Sequence, residues 1–307
     1  MARAWGLADI PDQTGRRALV TGATNGIGLE MAAALAGRGA EVIMTGRDDA
    51  RGAASVAEVR RRHARANIRF VHADAARLMA MRTLAQTVAG DGQPLDILIN
   101  NAGLVAPPRR MTTADGHELQ LGVNFLAPYV LTALLLPAIA RAPAGRIVTV
   151  ASIAHRRARI DFDDPQSTQT YARLRAYAQS KLADLILAIE LDRRLRAAGS
   201  PVASIAAHPG VALTNIFAGA EIPFVNLLKP TVFRLFAHGP APGALPVLYA
   251  ATAPDARPGG YYGPTGTAER RGPVGAAKIE PQANDPATAA RLIDAAEALT
   301  GVTLRIP

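Results

Sequence analysis

The 307-residue chain has no cysteine, which excludes disulfides, thiolate nucleophiles and cysteine metal sites. No grouping of His, Asp and Glu has metal-ligand spacing, so no metal is expected. Aromatic residues make up only 5% of the chain. They do not interleave with the basic runs at 60–62, 156–157 and 193–194, as a single-strand nucleic-acid binder requires. The net charge of +9 therefore fits a solvated basic surface, and no nucleic-acid partner is expected. Long apolar runs are scarce too. Residues 125–140 form the longest; it contains two prolines and suits a buried helix better than a membrane span. Residues 1–15 lack the apolar core of a secretory signal. A cytoplasmic protein without membrane contact is the expectation.

What is present is a hydrophobic fraction of 49% against 19% charged residues, enough for one domain with a sizeable core. Short apolar strands are predicted at 17–21, 41–45, 68–72, 95–99, 146–150 and 202–206. Amphipathic or apolar helices are predicted at 27–38, 50–63, 78–89, 113–141, 171–198 and 286–300. This alternation predicts an α/β fold: a doubly wound, Rossmann-type parallel sheet of about seven strands with helices on both faces. The pattern changes to apolar helical pieces at about 216–250, expected to form a small substrate lobe. Residues 254–307 are expected to supply a last strand and a tail helix, all within a single domain spanning 1–307.

The first strand runs into Gly22-x-x-x-Gly26-x-Gly28 and then a helix. Glycines in that context permit a tight turn and close approach to a pyrophosphate, which the helix N-terminus favours electrostatically. The spacing differs from the commoner G-x-G-x-x-G. At the tip of the second strand no acid is present, and Arg47 follows Gly46 directly. That favours NADP(H) over NAD(H), because an arginine accommodates a 2′-phosphate. Asp48 is either a helix cap or a weak NAD signal. Asp74 and Ala75, after the third strand, are placed to meet the adenine. Asn101, Ala102 and Gly103, after the fourth, are placed to pass beneath the adenosine ribose.

Tyr177 and Lys181 are four residues apart on a predicted helix and so share a face. An ammonium beside a phenol favours the phenolate. A phenol so placed can exchange a proton with a carbonyl oxygen as the carbon gains or loses hydride.

These motifs resemble the short-chain dehydrogenase/reductase superfamily. The matching residues are Thr21-Gly22-Ala23-Thr24-Asn25-Gly26-Ile27-Gly28, Asn100-Asn101-Ala102-Gly103, Asn124, Ser152, Tyr177-x-x-x-Lys181 and Pro209-Gly210. The chain looks most like the branch of retinol dehydrogenases and protochlorophyllide reductases. The pointers are Val150-Ala151-Ser152-Ile153-Ala154-His155, Gly259-Gly260-Tyr261-Tyr262-Gly263-Pro264, and 25 residues between Ser152 and Tyr177, where most members have about a dozen. The resemblance implies an insertion at 156–170 beside the active site. It implies Tyr177 as acid/base and Lys181 as its electrostatic partner and ribose ligand. Ser152 would orient the carbonyl, and Asn124 would hold a water linking Lys181 to solvent. Gly22, Thr24, Asn25, Gly26, Ile27 and Gly28 would hold the nucleotide, with Pro209, Gly210, Val211 and Thr214 at its nicotinamide end. It further implies that helices 113–141 and 171–198 form a homodimer face.

The expected reaction is hydride transfer between NADP(H) and a lipophilic alcohol, ketone or aldehyde. The Phe-bearing stretch at 216–250 would fold over that substrate. His155 is expected to be a loop residue that shapes the pocket, and His208 to be structural. A catalytically idle NADP(H)-sensing or interaction protein is the alternative from another class, and the complete Asn124, Ser152, Tyr177 and Lys181 set argues against it. A membrane-surface protein is a third reading, weakened by the lack of a basic amphipathic helix.

Overall fold

The computed structural model describes residues 4–211 and 238–307. Eight strands form one sheet in the order β3-β2-β1-β4-β5-β6-β7-β8. The strands are β1 (Arg17–Val20), β2 (Glu41–Gly46), β3 (Ile68–His72), β4 (Ile97–Asn100), β5 (Arg146–Val150), β6 (Ala203–Ala207), β7 (Tyr261–Pro264) and β8 (Val274–Ala276). All neighbours pair parallel except β7 with β8. The doubly wound expectation holds, with one antiparallel edge strand more than the approximate seven. Only three residues long, β8 lies in a Pro/Gly-rich stretch whose sequence carries little period-2 signal.

The strands are near-continuous apolar runs because both sheet faces are covered. Alternation inside them still sorts side chains between two cores. Leu19, Leu98, Ile147 and Ala206 face one core. Ala18, Val20, Ile97, Ile99, Val148 and Ile205 face the other. The first core is closed by α3 (Leu78–Ala89), α4 (Ala127–Ala140), α5 (Arg173–Ala197) and α7 (Pro286–Thr300). The second is closed by α1 (Gly26–Gly37), α2 (Asp49–Arg62) and α6 (Pro240–Thr252).

Two expectations change. The helix predicted at 113–141 begins only at Leu121, and its first six residues, Leu121–Leu126, form a π-helical turn before α4. Residues 113–120 are held instead by side-chain bonds such as those from Glu118 to the N–H groups of Gln120 and Leu121. By length and composition Leu121–Ala140 could cross a bilayer, but 83% of it is buried inside the fold, as a core helix would be. The predicted lobe at 216–250 is divided: residues 216–237 lie outside the described residues, and its end is α6, which packs on α1. The tail also packs on α4 and α5. Leu292, Ile293 and Ala296 of α7 join the α4–α5 core, and Tyr129 on α4 donates to the carbonyl of Val302 at 3.0 Å.

Candidate active site

Strand order reverses between β1 and β4, and open α/β sheets bind ligands outside the carboxyl ends of the strands at such a switch point. The glycine turn and the Asn101–Gly103 loop meet there. Gly22 has φ +63°, and a Cβ on it would lie 2.8 Å from the Cα of Ala102. A Cβ on Gly28 would lie 2.5 Å from the Gly22 carbonyl oxygen and 2.7 Å from the Asn101 side-chain nitrogen. Both positions therefore demand glycine for packing alone. Asn101 latches the two turns, donating from Nδ2 to the carbonyls of Thr21 at 2.8 Å and Gly22 at 3.2 Å. Thr21 answers from the other side: its Oγ1 accepts from the N–H groups of Asn101 and Ala102, each at 2.9 Å.

The residues present fit a dinucleotide. Asn25 precedes α1 in extended conformation, and its side chain makes no cap bond to the helix. The first-turn N–H groups of α1, with the dipole behind them, are left facing the site. By contrast, Asp48 caps α2 by accepting from the Arg51 N–H at 3.0 Å and pairs with the Arg51 guanidinium at 3.3 Å. The cap reading of Asp48 holds. Arg47 is exposed at the end of β2. Thr24 lies across from that strand end, its methyl 2.6 Å from where a Cβ on Gly46 would sit, and its carbonyl accepts from Ser55 Oγ at 2.9 Å. Ile27 packs against the second core.

Asp74 and Ala75 are half-buried just past β3. One Asp74 oxygen accepts from the Ala76 N–H at 3.0 Å, and the other stands 3.9 Å from Arg77 Nε. This carboxylate shapes its own turn.

At the far end of the site, α5 carries Tyr177 and Lys181 one turn apart. Tyr177 is half-buried, and its charge acts on the Lys181 ammonium. Lys181 is buried and donates to the Val150 carbonyl and to Asp184 Oδ2, both at 2.8 Å. Burial works against that ammonium, but Asp184 and Tyr177 together hold it above the ordinary lysine range. Its contacts thus run along the end of β5, and Nζ stands 3.7 Å from where a Cβ on Gly103 would be. Ser152, at the end of β5, caps the short 3-10 turn Ile153–Arg157, accepting from the Ala154 N–H at 3.2 Å.

Asn124 lies in the π-helical turn, a feature frequent at functional sites. Both amide hydrogens and one lone pair of the oxygen are in use. Oδ1 accepts from the Leu104 N–H at 2.9 Å, while Nδ2 donates to the Leu104 carbonyl at 3.1 Å and to Ser180 Oγ at 2.9 Å. The side chain braces the loop after β4, and its oxygen lies 3.2 Å from where a Cβ on Gly103 would be, near Lys181 Nζ.

Pro209 and Gly210 follow β6. Gly210 has φ +75°, and a Cβ there would meet the Arg270 carbonyl at 2.3 Å. Val211 donates to that same carbonyl at 2.9 Å. Thr214 lies outside the described residues.

His155 is a correction: it does not line a pocket. It is wholly buried, donates from Nδ1 to the Ser152 carbonyl at 2.7 Å, and packs edge-on against Tyr261. Tyr261 also meets the ring of His208, and burial pushes its phenol well up.

The inserted segment is stitched to α5 through Gln179, which accepts from the Asp161 N–H at 2.9 Å and donates to the Pro165 carbonyl at 2.9 Å. Two acids that sequence reasoning did not single out also belong to the site's frame. Asp184 could have been found as the i+3 neighbour of Lys181. Glu269 had no local signal, because its side-chain partners are 61 and more than 100 residues away.

Known proteins place this arrangement. The short chain dehydrogenase family matches residues 16–221. Polyprenol dehydrogenase of Mus musculus is 40% identical over 250 residues, covering 80% of this chain and 74% of that protein. Retinol dehydrogenase 13 of Homo sapiens is 38% identical over 250 residues, with the same shares covered. A crystal structure of an uncharacterised protein from Mycobacterium paratuberculosis superposes with TM-score 0.81 at 35% identity, covering 99% of this chain and 100% of that one. The turn at the switch point, the Tyr177–Lys181 helix and these likenesses agree: the chain belongs to the short-chain dehydrogenase/reductase family, in its retinol-dehydrogenase-like branch, and is an oxidoreductase acting on CH–OH groups.

Proposed function

We propose that the chain is an NADP(H)-dependent reductase or dehydrogenase of a lipophilic alcohol/carbonyl pair. The observation that carries this reading is the placement of Tyr177 one helical turn from the buried Lys181 ammonium, on a helix packed against the 3-10 turn that Ser152 caps. The nicotinamide supplies or accepts the hydride when bound; the protein's part is to bind, orient and move a proton. Gly22, Thr24, Asn25, Gly26, Ile27 and Gly28 hold the pyrophosphate end, with Asp74, Ala75, Asn101, Ala102 and Gly103 beside the adenosine. Pro209, Gly210, Val211 and Thr214 meet the nicotinamide end. Tyr177 gives its phenolic proton to the carbonyl oxygen in reduction and removes the hydroxyl proton in oxidation. Lys181 stabilises the phenolate left behind. Ser152 donates a hydrogen bond to the same oxygen and fixes its position. Asn124 acts by holding the loop after β4 in register with the π-helical turn.

NADP(H) is favoured because Arg47 is exposed where a 2′-phosphate would lie and Asp48 is committed to its helix cap. A lipophilic substrate fits relatives that are named for polyprenol and retinol. The apolar composition of residues 216–237 adds to that. We infer further that the chain does not dimerise through α4 and α5, since α7 and the tail already pack there.

The test is Tyr177→Phe, assayed with NADPH and a panel of lipophilic aldehydes and ketones. Turnover should fall at least about 100-fold, with NADPH affinity kept within a few-fold. Undiminished turnover would overturn the mechanism.

A further inference from the structure

Lys181 and Asp184 form an ion pair in the interior, with 6% and 1% of their side chains exposed. Lys181 Nζ meets Asp184 Oδ2 at 2.8 Å, and the other carboxylate oxygen, Oδ1, has no hydrogen-bond partner among the described residues. No water screens such a pair, so its charges act strongly on whatever lies beside them. What lies beside them is Tyr177, whose charge Lys181 feels.

A buried ammonium alone would act on the phenol with its whole charge. An ammonium paired to a carboxylate acts as a dipole, and its pull on the phenolate is correspondingly weaker. We propose that Asp184 is a positioning residue: by sharing the charge of Lys181 it sets the pH window in which Tyr177 is a proton donor, extending that window upward. The proposal rests on the reading of Tyr177 and Lys181 as the proton-transfer pair.

The surroundings leave few other charges to do this. Tyr177 is the other titratable group acting on Lys181, and Lys181 alone acts on Asp184. From β7, Tyr261 feels Tyr177 as well as Glu269 and Arg156. The remaining partners are neutral: the Val150 carbonyl from β5, and Asn124 of the π-helical turn bonded to Ser180. Burial pushes the Asp184 carboxyl up to about 6 even against the pull of Lys181. A deficient partner of this kind is costly to keep ionised, which fits a group retained for its effect on a neighbour.

The experiment compares wild type, Asp184→Asn and Asp184→Glu, with Asp184→Ser as a second neutral variant should Asn not fold. Two quantities are read: the pH profile of kcat/KM for carbonyl reduction, and a phenolate absorbance titration of nucleotide-free protein with Tyr177→Phe subtracted. In the neutral variants the basic limb of both should move to lower pH by about one unit. In Asp184→Glu it should stay within a few tenths of wild type. Limbs that coincide in wild type and the neutral variants, with activity intact, would overturn the role of Asp184 and leave the Tyr177–Lys181 pair standing. A shift of equal size in Asp184→Glu would also overturn it, since packing and not charge would then be responsible. Failure of the underlying reading has a separate signature, which is full turnover by Tyr177→Phe.

Discussion

His208 and Glu269 are 61 residues apart in sequence and 3.0 Å apart in the fold. The imidazole is neutral and carries its proton on Nε2, since Nδ1 accepts from the Gly210 N–H at 3.1 Å. The same Glu269 oxygen takes the Arg156 guanidinium at 2.5 Å, and its other oxygen accepts from the Lys278 N–H at 3.1 Å. One carboxylate thus ties the turn after Ser152 to the turn that contains Pro209 and Gly210. It does so from a backbone with φ +56°, next to Ala268 at +53°, conformations that non-glycine residues hold only when neighbours enforce them.

Glu269→Gln keeps the shape and removes the charge. It should destabilise the fold by about 1–2 kcal/mol, less than a fully buried broken pair because Glu269 and Arg156 retain some solvent. Turnover should fall more than nucleotide affinity. Denaturant melts and separate determinations of kcat and NADPH Kd check this; an affinity loss with kcat unchanged would place Glu269 outside the reacting end.

Arg47→Ala should weaken NADPH by about tenfold or more and leave NADH within about twofold, since loss of one charge-assisted phosphate contact costs about 1.5–3 kcal/mol. Calorimetric titration with both nucleotides decides it. Equal losses would mean that Arg47 does not meet the 2′-phosphate.

Acid should destabilise the protein through its buried histidines. Burial pushes both His155 and His208 below the ordinary histidine range. The unfolded chain then binds more protons than the folded one as pH falls below about 6.5. Their contribution is complete above that pH and is lost as pH drops through the folded values. Asp184, raised to about 6, has the opposite sign, favouring the folded state as it protonates. A comparison of wild type with His155→Phe removes that contribution. Tm measured from pH 8 to pH 5 should fall less steeply in the variant, and parallel slopes would contradict the prediction.

Removal of residues 286–307 should uncover the α4–α5 core that Leu292, Ile293, Ala296, Val302 and Leu304 close. The truncated chain is expected to lose several degrees of Tm and to bind a hydrophobic dye. Tyr129→Phe, which loses one hydrogen bond to the tail, should cost about 1 kcal/mol. Light scattering of the full chain should give a mass near 32.1 kDa. A stable dimer of intact chains would require a face other than these two helices, or displacement of α7.

Much of this was legible in the sequence where the signal is local. The Gly22–Gly28 turn, the Tyr177–Lys181 spacing and the apolar strands depend on a few adjacent residues. The strand Arg146–Val150 and the helices Leu78–Ala89 and Pro286–Thr300 lie at their predicted bounds. What was not legible depends on distant partners. The start of the helix at Leu121 is set by Glu118 and by Asn124 bonding Leu104 and Ser180, none of which alters hydrophobic periodicity. The β8 edge is three residues paired across a Pro/Gly-rich turn. Glu269 sits in that same stretch, and only the fold brings it beneath the turn after β6.

The latch between Thr21, Gly22 and Asn101 bears on the stiffness of the site. Its hydrogen bonds run in both directions between the ends of β1 and β4, which stiffens the turn at the proposed adenosine site. Little ordering entropy remains to be lost there on binding. On the proposed reading, a nucleotide would meet a stiff surface at this end, while Lys181, which donates to the Val150 carbonyl, lies at the other.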